Sequence, residues 1–158
     1  MKNNYHLYLG KAGHLVVMSE FLTRGWNVAI PEVDIGDDIF VVQDDNGTLR
    51  RVQVKTSAAV KQAKGYKAQF NVPVKQLENI TNVLIHYVFI VRHDNNWSKP
   101  VIMRQDDLLA HRQNDKIGSI YKANLNLHFS YLGDKIKCSK INLGNYISDF
   151  SDFPLVEE

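Results

Sequence analysis

Asp34-Ile35-Gly36-Asp37-Asp38-Ile39-Phe40-Val41-Val42, followed after a short turn by Leu49-Arg50-Arg51-Val52-Gln53-Val54-Lys55-Thr56, is the stretch that decides the fold. Asp38 to Val42 is β-branched and aromatic, and Leu49 to Thr56 alternates apolar with polar. Asn46-Gly47 between them is a strong short-range turn signal, so the two runs predict a β-hairpin. On the second strand Val52 and Val54 share one face, and Arg51, Gln53 and Lys55 share the other. An acid at the start of the first strand then lies beside the amide of Gln53, with the ammonium of Lys55 one same-face position further on. A carboxylate and an amide oxygen suit a hard divalent cation. A lysine beside them can orient water and stabilise charge developing on a phosphate.

Upstream, Leu15, Met18, Phe21 and Leu22 recur at helical spacing, with Val17 widening the stripe. They predict an amphipathic helix over Lys11–Thr23. Gly25 sits where a left-handed cap is commonly needed, and Trp26–Ile30 reads as a strand stopped by Pro31. Downstream, Ser57–Gly65 reads as a loop or short helix, Tyr66–Val74 as a strand, and Lys75–Asn82 as one or two helical turns. The nearly continuous apolar run Val83–Val91 suits a central strand covered on both faces. A short strand at Pro100–Arg104 and a helix at Asp106–His111 follow. Leu125–Leu132 and Lys135–Cys138 form a strand pair around Gly133-Asp134, and Tyr146–Phe153 reads as a closing helix. The order predicts an α/β chain of one domain, with a mixed central β-sheet flanked by helices.

Composition fits this reading and narrows the class. The chain has 158 residues, 44% hydrophobic and 23% charged, with one cysteine and a formal net charge of +2. These values exclude a disordered or collagen-like chain, a disulfide framework and any multi-cysteine zinc site. No apolar run approaches the ~20 residues of a membrane span, and the first residues have no signal core. A soluble cytoplasmic protein is the expectation. The charge is segregated: Glu32, Asp34, Asp37, Asp38, Asp44 and Asp45 stand together without a base. Arg50, Arg51, Lys55, Lys61, Lys64, Lys67 and Lys75 follow without an acid. A cation site beside a polyanion-binding surface has this pattern, and so do two solvated faces. Phosphate-loop, dinucleotide-binding and nucleophile-elbow motifs are all lacking.

Leu9-Gly10-Lys11, Ser19 to Val28 with Glu20 and Gly25, Asp38 with its apolar run, and Gln53-Val54-Lys55-Thr56 together resemble the PD-(D/E)XK nuclease superfamily. The resemblance is closer to its branch with Gln-x-Lys in place of Glu-x-Lys, which includes a homing endonuclease and many small bacterial proteins. It covers roughly Leu9 to Thr56 and, loosely, the chain onward to about Met103. It implies a restriction-endonuclease-like core over about 9–104 and a C-terminal extension over 105–158, within one nuclease-like domain. The implied activity is Mg2+- or Mn2+-dependent hydrolysis of DNA phosphodiesters. The alternative is a nuclease-fold DNA-binding or scaffold module with weakened catalysis. DNA is the implied partner, no membrane is involved, and a homo-oligomer is an open option.

Carried over residue by residue, the resemblance implies that Asp38 and Gln53 bind metal, with the Val54 carbonyl as a further ligand. Lys55 is then the catalytic lysine. The first-helix glutamate has two claimants. The position eleven residues before Gly25 is His14, and Glu20 lies five before it; the two project about 120° apart on a helix. Glu20 is carried as the catalytic acid, while His14 is either a ligand or a packed histidine. Asp37 is the register alternative to Asp38, and Asp34 is a turn residue or an outer-shell acid. Thr56, Ser57, Lys61, Lys64 and Lys67 are the candidate phosphate contacts, since they directly follow the catalytic strand. His86, inside the apolar run, reads as a hydrogen-bonded core residue.

Overall fold

The computed structural model describes residues 4–33 and 36–156, so Asp34 lies outside the described residues. Helix α1 spans Tyr5–Thr23, β1 Asn27–Ala29, β2 Ile39–Gln43 and β3 Thr48–Ala58. Then come β4 Val60–Lys61, β5 Tyr66–Pro73, α2 Val74–Glu78, β6 Ile85–His93, β7 Asn96–Trp97 and β8 Val101–Arg104. Helix α3 at Gln105–Asp115 leads to β9 Ser119–Tyr121, β10 Asn124–Leu132, β11 Lys135–Cys138, β12 Ile141–Asn142 and a 3-10 turn at Gly144–Tyr146.

The strands make two sheets. One runs β1-β2-β3-β6, with β7 and β8 both on β6; the other runs β12-β11-β10-β5-β4, with β9 on β10. Within the first, β3 and β6 are parallel and every other pairing is antiparallel. This is the mixed sheet the sequence predicts, with β6 in its centre. Seven successive residues of β6, Ile85 to Val91, are buried. Helices flank the sheet on both faces: α1 packs on one, and α2 and α3 pack on the other through Leu77 and Leu108. The second sheet also lies against that other face, and Phe70, Tyr87, Phe89, Leu127 and Phe129 fill the space between. On the α1 face Val17 and Phe21 meet Val52, Val54, Val88 and the C-terminal Phe150 and Phe153.

Helix α1 starts earlier than periodicity predicts, and it turns a different stripe inward. Leu9, Gly13, Val17 and Phe21, each four apart, are buried, whereas Leu15 and Leu22 are exposed. The glycine is the reason the stripe was misplaced. Gly13 carries no side chain, so it drops out of an apolar count, yet it marks the closest approach of helix to sheet. Ser57–Gly65 is loop only at Ala59 and at residues 62–65, and none of it is helix. Strand β3 runs on to Ala58, and β4 pairs with β5 through Val60↔Lys67 and Lys61↔Tyr66, closed by Gly65 at a φ of +70°. Tyr146–Phe153 is likewise not a helix. It is an irregular segment whose aromatic side chains dock one by one onto α1 and the sheet, which a continuous helical face cannot do. No helix among the described residues is long and apolar enough to cross a membrane.

Candidate active site

The site forms where α1, the start of β2, the middle of β3 and α2 meet. The hairpin register places Ile39 opposite Val52, and the backbone N–H of Asp38 donates to the Val52 carbonyl. Asp38 is thereby held just outside the strand, with its carboxylate turned toward β3. Its Oδ2 accepts a hydrogen bond from Gln53 Nε2 at 2.6 Å and another from the Val54 N–H at 2.7 Å. The contact described for Val54 is this N–H. Among the described residues the second carboxylate oxygen, Oδ1, accepts no hydrogen bond. Lys55 follows on the Gln53 face of β3, half-buried and in register with Phe89 of β6.

Asp37 goes elsewhere. It is buried, and both its oxygens accept from Nε of Arg51 at 3.0–3.1 Å. Arg51 also donates to Thr81 and to the Val83 carbonyl. Asp37 thus clamps the hairpin to the loop before β6, and Asp38 alone of the two meets Gln53. A buried acid bonded at both oxygens by one guanidinium is a structural pair, costly to break.

Of the first-helix candidates, the fold brings His14 to the site and leaves Glu20 outside it. His14 Nε2 lies 3.4 Å from Asp38 Oδ2. Glu20 is exposed and faces Arg24 one turn on, at 3.5 Å. Thr56 also turns away from the position expected of a phosphate contact. A Cβ added to Gly13 would lie 2.1 Å from Thr56 Oγ1 and 2.8 Å from its Cγ2. The hydroxyl is buried there without a hydrogen-bond partner among the described residues. Ser57 Oγ donates to the Ala58 carbonyl at 3.1 Å. Lys61, Lys64 and Lys67 are exposed on the β4–β5 hairpin, which continues from the strand that carries Lys55.

The Gly13–Thr56 contact sets how closely α1, and hence His14, can approach. In an open helix Gly→Ala gains up to about 1 kcal/mol. Here both branches of Thr56 stand in the way, so rotating that side chain gives no relief. Overpacking of about 1–3 kcal/mol outweighs the propensity gain. Gly13→Ala is expected to lower the thermal midpoint, and a midpoint raised by the substitution would disprove the close contact.

One participant left no signal in the sequence reading. Gln76 of α2 donates from Nε2 to the Gly36 carbonyl at 2.6 Å and, more distantly, to Gln53 Oε1 at 3.4 Å. Its own Oε1 accepts from the hydroxyl of the fully buried Tyr87 at 3.1 Å. Gln105, buried at the start of α3, donates to the carbonyls of Gln76, Leu77 and Asn79, fixing α2 in place. The result is a chain of amides from Tyr87 through Gln76 and Gln53 to Asp38. It orients the Gln53 amide with nitrogen toward the acid and oxygen toward Gln76. Among the described residues no three of His, Cys, Asp and Glu converge as a metal-binding group. The donor set among the described residues is one carboxylate, one imidazole and the Gln53 amide.

No family model matches the chain, and no curated protein matches it. A solved structure does: a bacterial homing endonuclease, with a TM-score of 0.58 and 17% identity, over 90% of this chain and 86% of that one. The chain therefore has an endonuclease-like α/β fold, shared along nearly its whole length.

Proposed function

We propose that the protein is a divalent-metal-dependent nuclease acting on DNA phosphodiesters, of the PD-(D/E)XK type with a Gln-x-Lys motif. The observation that carries this reading is the pairing of Asp38 with Gln53 at 2.6 Å, one same-face step before Lys55. The fold shared with a homing endonuclease supports it.

The donor set fits a hard or borderline divalent ion, Mg2+ or Mn2+, held by Asp38 and by the Gln53 amide oxygen, with the Val54 carbonyl as a further candidate. Asp38 has an oxygen, Oδ1, that accepts no hydrogen bond from the described residues. Gln53 must turn its amide over to present oxygen beside the acid. That turn gives up its bond to Asp38 and the contact from Gln76, and is unfavourable unless a cation lies between the oxygens. When bound, the ion supplies a Lewis acid for the phosphate and acidifies water. The chain's residues do the rest. Asp38 would hold the ion, and Lys55 would orient the attacking water and offset charge growing on the phosphate oxygens. A Gln ligand in place of Glu removes one negative charge, so cation affinity is expected to be lower unless another acid compensates.

A cleavage screen over linear, nicked, branched and single-stranded DNA with each ion tests the reading. No cutting of any substrate by the wild-type chain would reject it. The second reading, a DNA-binding module of the same fold without turnover, is favoured by one fact: Glu20 sits by Arg24 rather than by Asp38. It predicts DNA binding with no cleavage.

Both readings share the basic hairpin. Lysines there contact phosphates without reading bases, and each phosphate neutralised steepens the log–log salt dependence by about 0.9 for duplex DNA. Lys61→Ala and Lys64→Ala are expected to weaken binding equally for all sequences, each flattening the slope by at most about one. Binding isotherms at several salt concentrations measure this. Slopes equal to wild type would mean the hairpin faces away from the DNA.

A further inference from the structure

We propose that His14 is a direct ligand of the cation at Asp38, and that it makes this centre select Mn2+ and Co2+ over Mg2+. The inference rests on the metal-dependent reading above and names which ion that site prefers.

Three observations carry it. The first is placement. The ridge Leu9, Gly13, Val17 and Phe21 faces the sheet, and the Gly13–Thr56 contact presses this part of α1 against β3. His14, the next residue, leans past that ridge toward the start of β2. The second is distance. At 3.4 Å from Asp38 Oδ2, the imidazole nitrogen is too far for a good hydrogen bond. That oxygen is already served by Gln53 and by the Val54 N–H. Two ligands sharing one ion at bonds of about 2.1 Å stand about 3.0 Å apart in octahedral geometry and about 3.4 Å apart in tetrahedral geometry. Once Gln53 turns its amide over, Oδ2 keeps only the Val54 N–H, and its spacing from His14 is then that of neighbouring ligands on one ion. The third is chemistry. With Glu20 beside Arg24, His14 is the side chain α1 offers to Asp38. An imidazole in place of a carboxylate removes a negative charge and a hard oxygen, on both of which Mg2+ depends. Mn2+ and, further along the affinity order, Co2+ accept imidazole readily.

The test uses the full chain without DNA. Mg2+, Mn2+ and Co2+ are titrated calorimetrically into wild type, His14→Ala and His14→Glu, and the visible absorption of the Co2+ form is recorded for each. The wild type is expected to bind Co2+ at least about 10-fold more tightly than Mg2+. His14→Ala should lose about 10-fold or more in Co2+ affinity, no less than disturbing a metal centre's outer shell costs, and should shift the cobalt band. His14→Glu should bind Mg2+ more tightly than wild type does and narrow the preference. Thermal midpoints of both variants confirm that they fold. A cobalt spectrum and a Co2+/Mg2+ ratio unchanged in His14→Ala overturn the proposal. So does a wild type that binds no ion.

The two proposals fail separately. Lysine-dependent cleavage with a metal preference indifferent to His14 rejects only this one. His14-dependent metal selection without cleavage of any DNA rejects only the nuclease reading.

Discussion

Lys55→Ala is expected to lower the rate of DNA cleavage by about 100- to 1,000-fold, the cost of removing one preorganised group that stabilises transition-state charge. The effect belongs in turnover rather than in DNA affinity, because a single cation among several basic residues adds little to ground-state binding. In the proposed function it offsets charge that appears only as the phosphorus–oxygen bond breaks. Lys55→Met separates charge from packing: it keeps an unbranched apolar stem in the half-buried position on β3 and loses only the ammonium. Both variants should fold, since β3 stays in register with β2 and β6 through its backbone. Single-turnover cleavage with binding measured in parallel decides the matter. A rate within threefold of wild type in a folded Lys55→Met would strip Lys55 of its role. A rate loss matched by an equal loss of DNA binding would make it a phosphate anchor instead.

The part of this site that was legible in the sequence is the part encoded locally. Asn46-Gly47 and the alternation on either side fix the hairpin register, and that register alone carries Asp38 to Gln53 and puts Lys55 on the Gln53 face. Asp37 and Asp38 could be separated only in three dimensions. The choice depends on Arg51 reaching both Asp37 and the loop before β6. Gln76 was invisible for a similar reason. It acts on Gln53 from a five-residue helix, and only the crossover from β5 to β6 brings that helix over the hairpin. The placement of Thr56 against Gly13 and of Glu20 beside Arg24 follows from how the helix is rotated. A periodicity count scores apolar side chains and cannot see that Gly13 is the contact point. It therefore rotates α1 wrongly and cannot tell that His14 faces the acid.

The C-terminal segment is where the chain departs most from the sequence-based expectation, and Phe153→Ala is the variant that tests it. The ring of Phe153 is fully buried. It sits 4.6 Å from that of Phe21, 5.6 Å from Trp26 and 5.0 Å from His86. Around it the segment is tied down by Trp26 Nε1 donating to the Pro154 carbonyl at 2.8 Å and by Arg24 stacked over Phe150 at 3.8 Å. Truncating a buried phenylalanine costs about 3–5 kcal/mol. At about 2–4 °C per kcal/mol for a chain of this size, the midpoint should fall by roughly 6–20 °C. Leu155→Ala, at an exposed position two residues on, should change stability by no more than about 0.5 kcal/mol. Acid should act on the same segment. Burial lowers the pKa of His86 below its ordinary 6.5, against the opposing pull of Asp152. Burial works to raise the pKa of Asp152, but the bond to His86 and the nearby arginines hold it below its ordinary 3.8. In both cases the unfolded chain takes up the proton more readily, so stability is complete at neutral pH. It declines as pH falls below 6.5, and declines again in the carboxylate range. His86→Gln should flatten the first decline and weaken the second, because the bond to His86 is the largest influence holding the Asp152 pKa down. A Phe153→Ala midpoint within 2 °C of wild type would mean that the segment is an appendage. A large drop would mean that the segment is part of the core around Phe21 and Trp26.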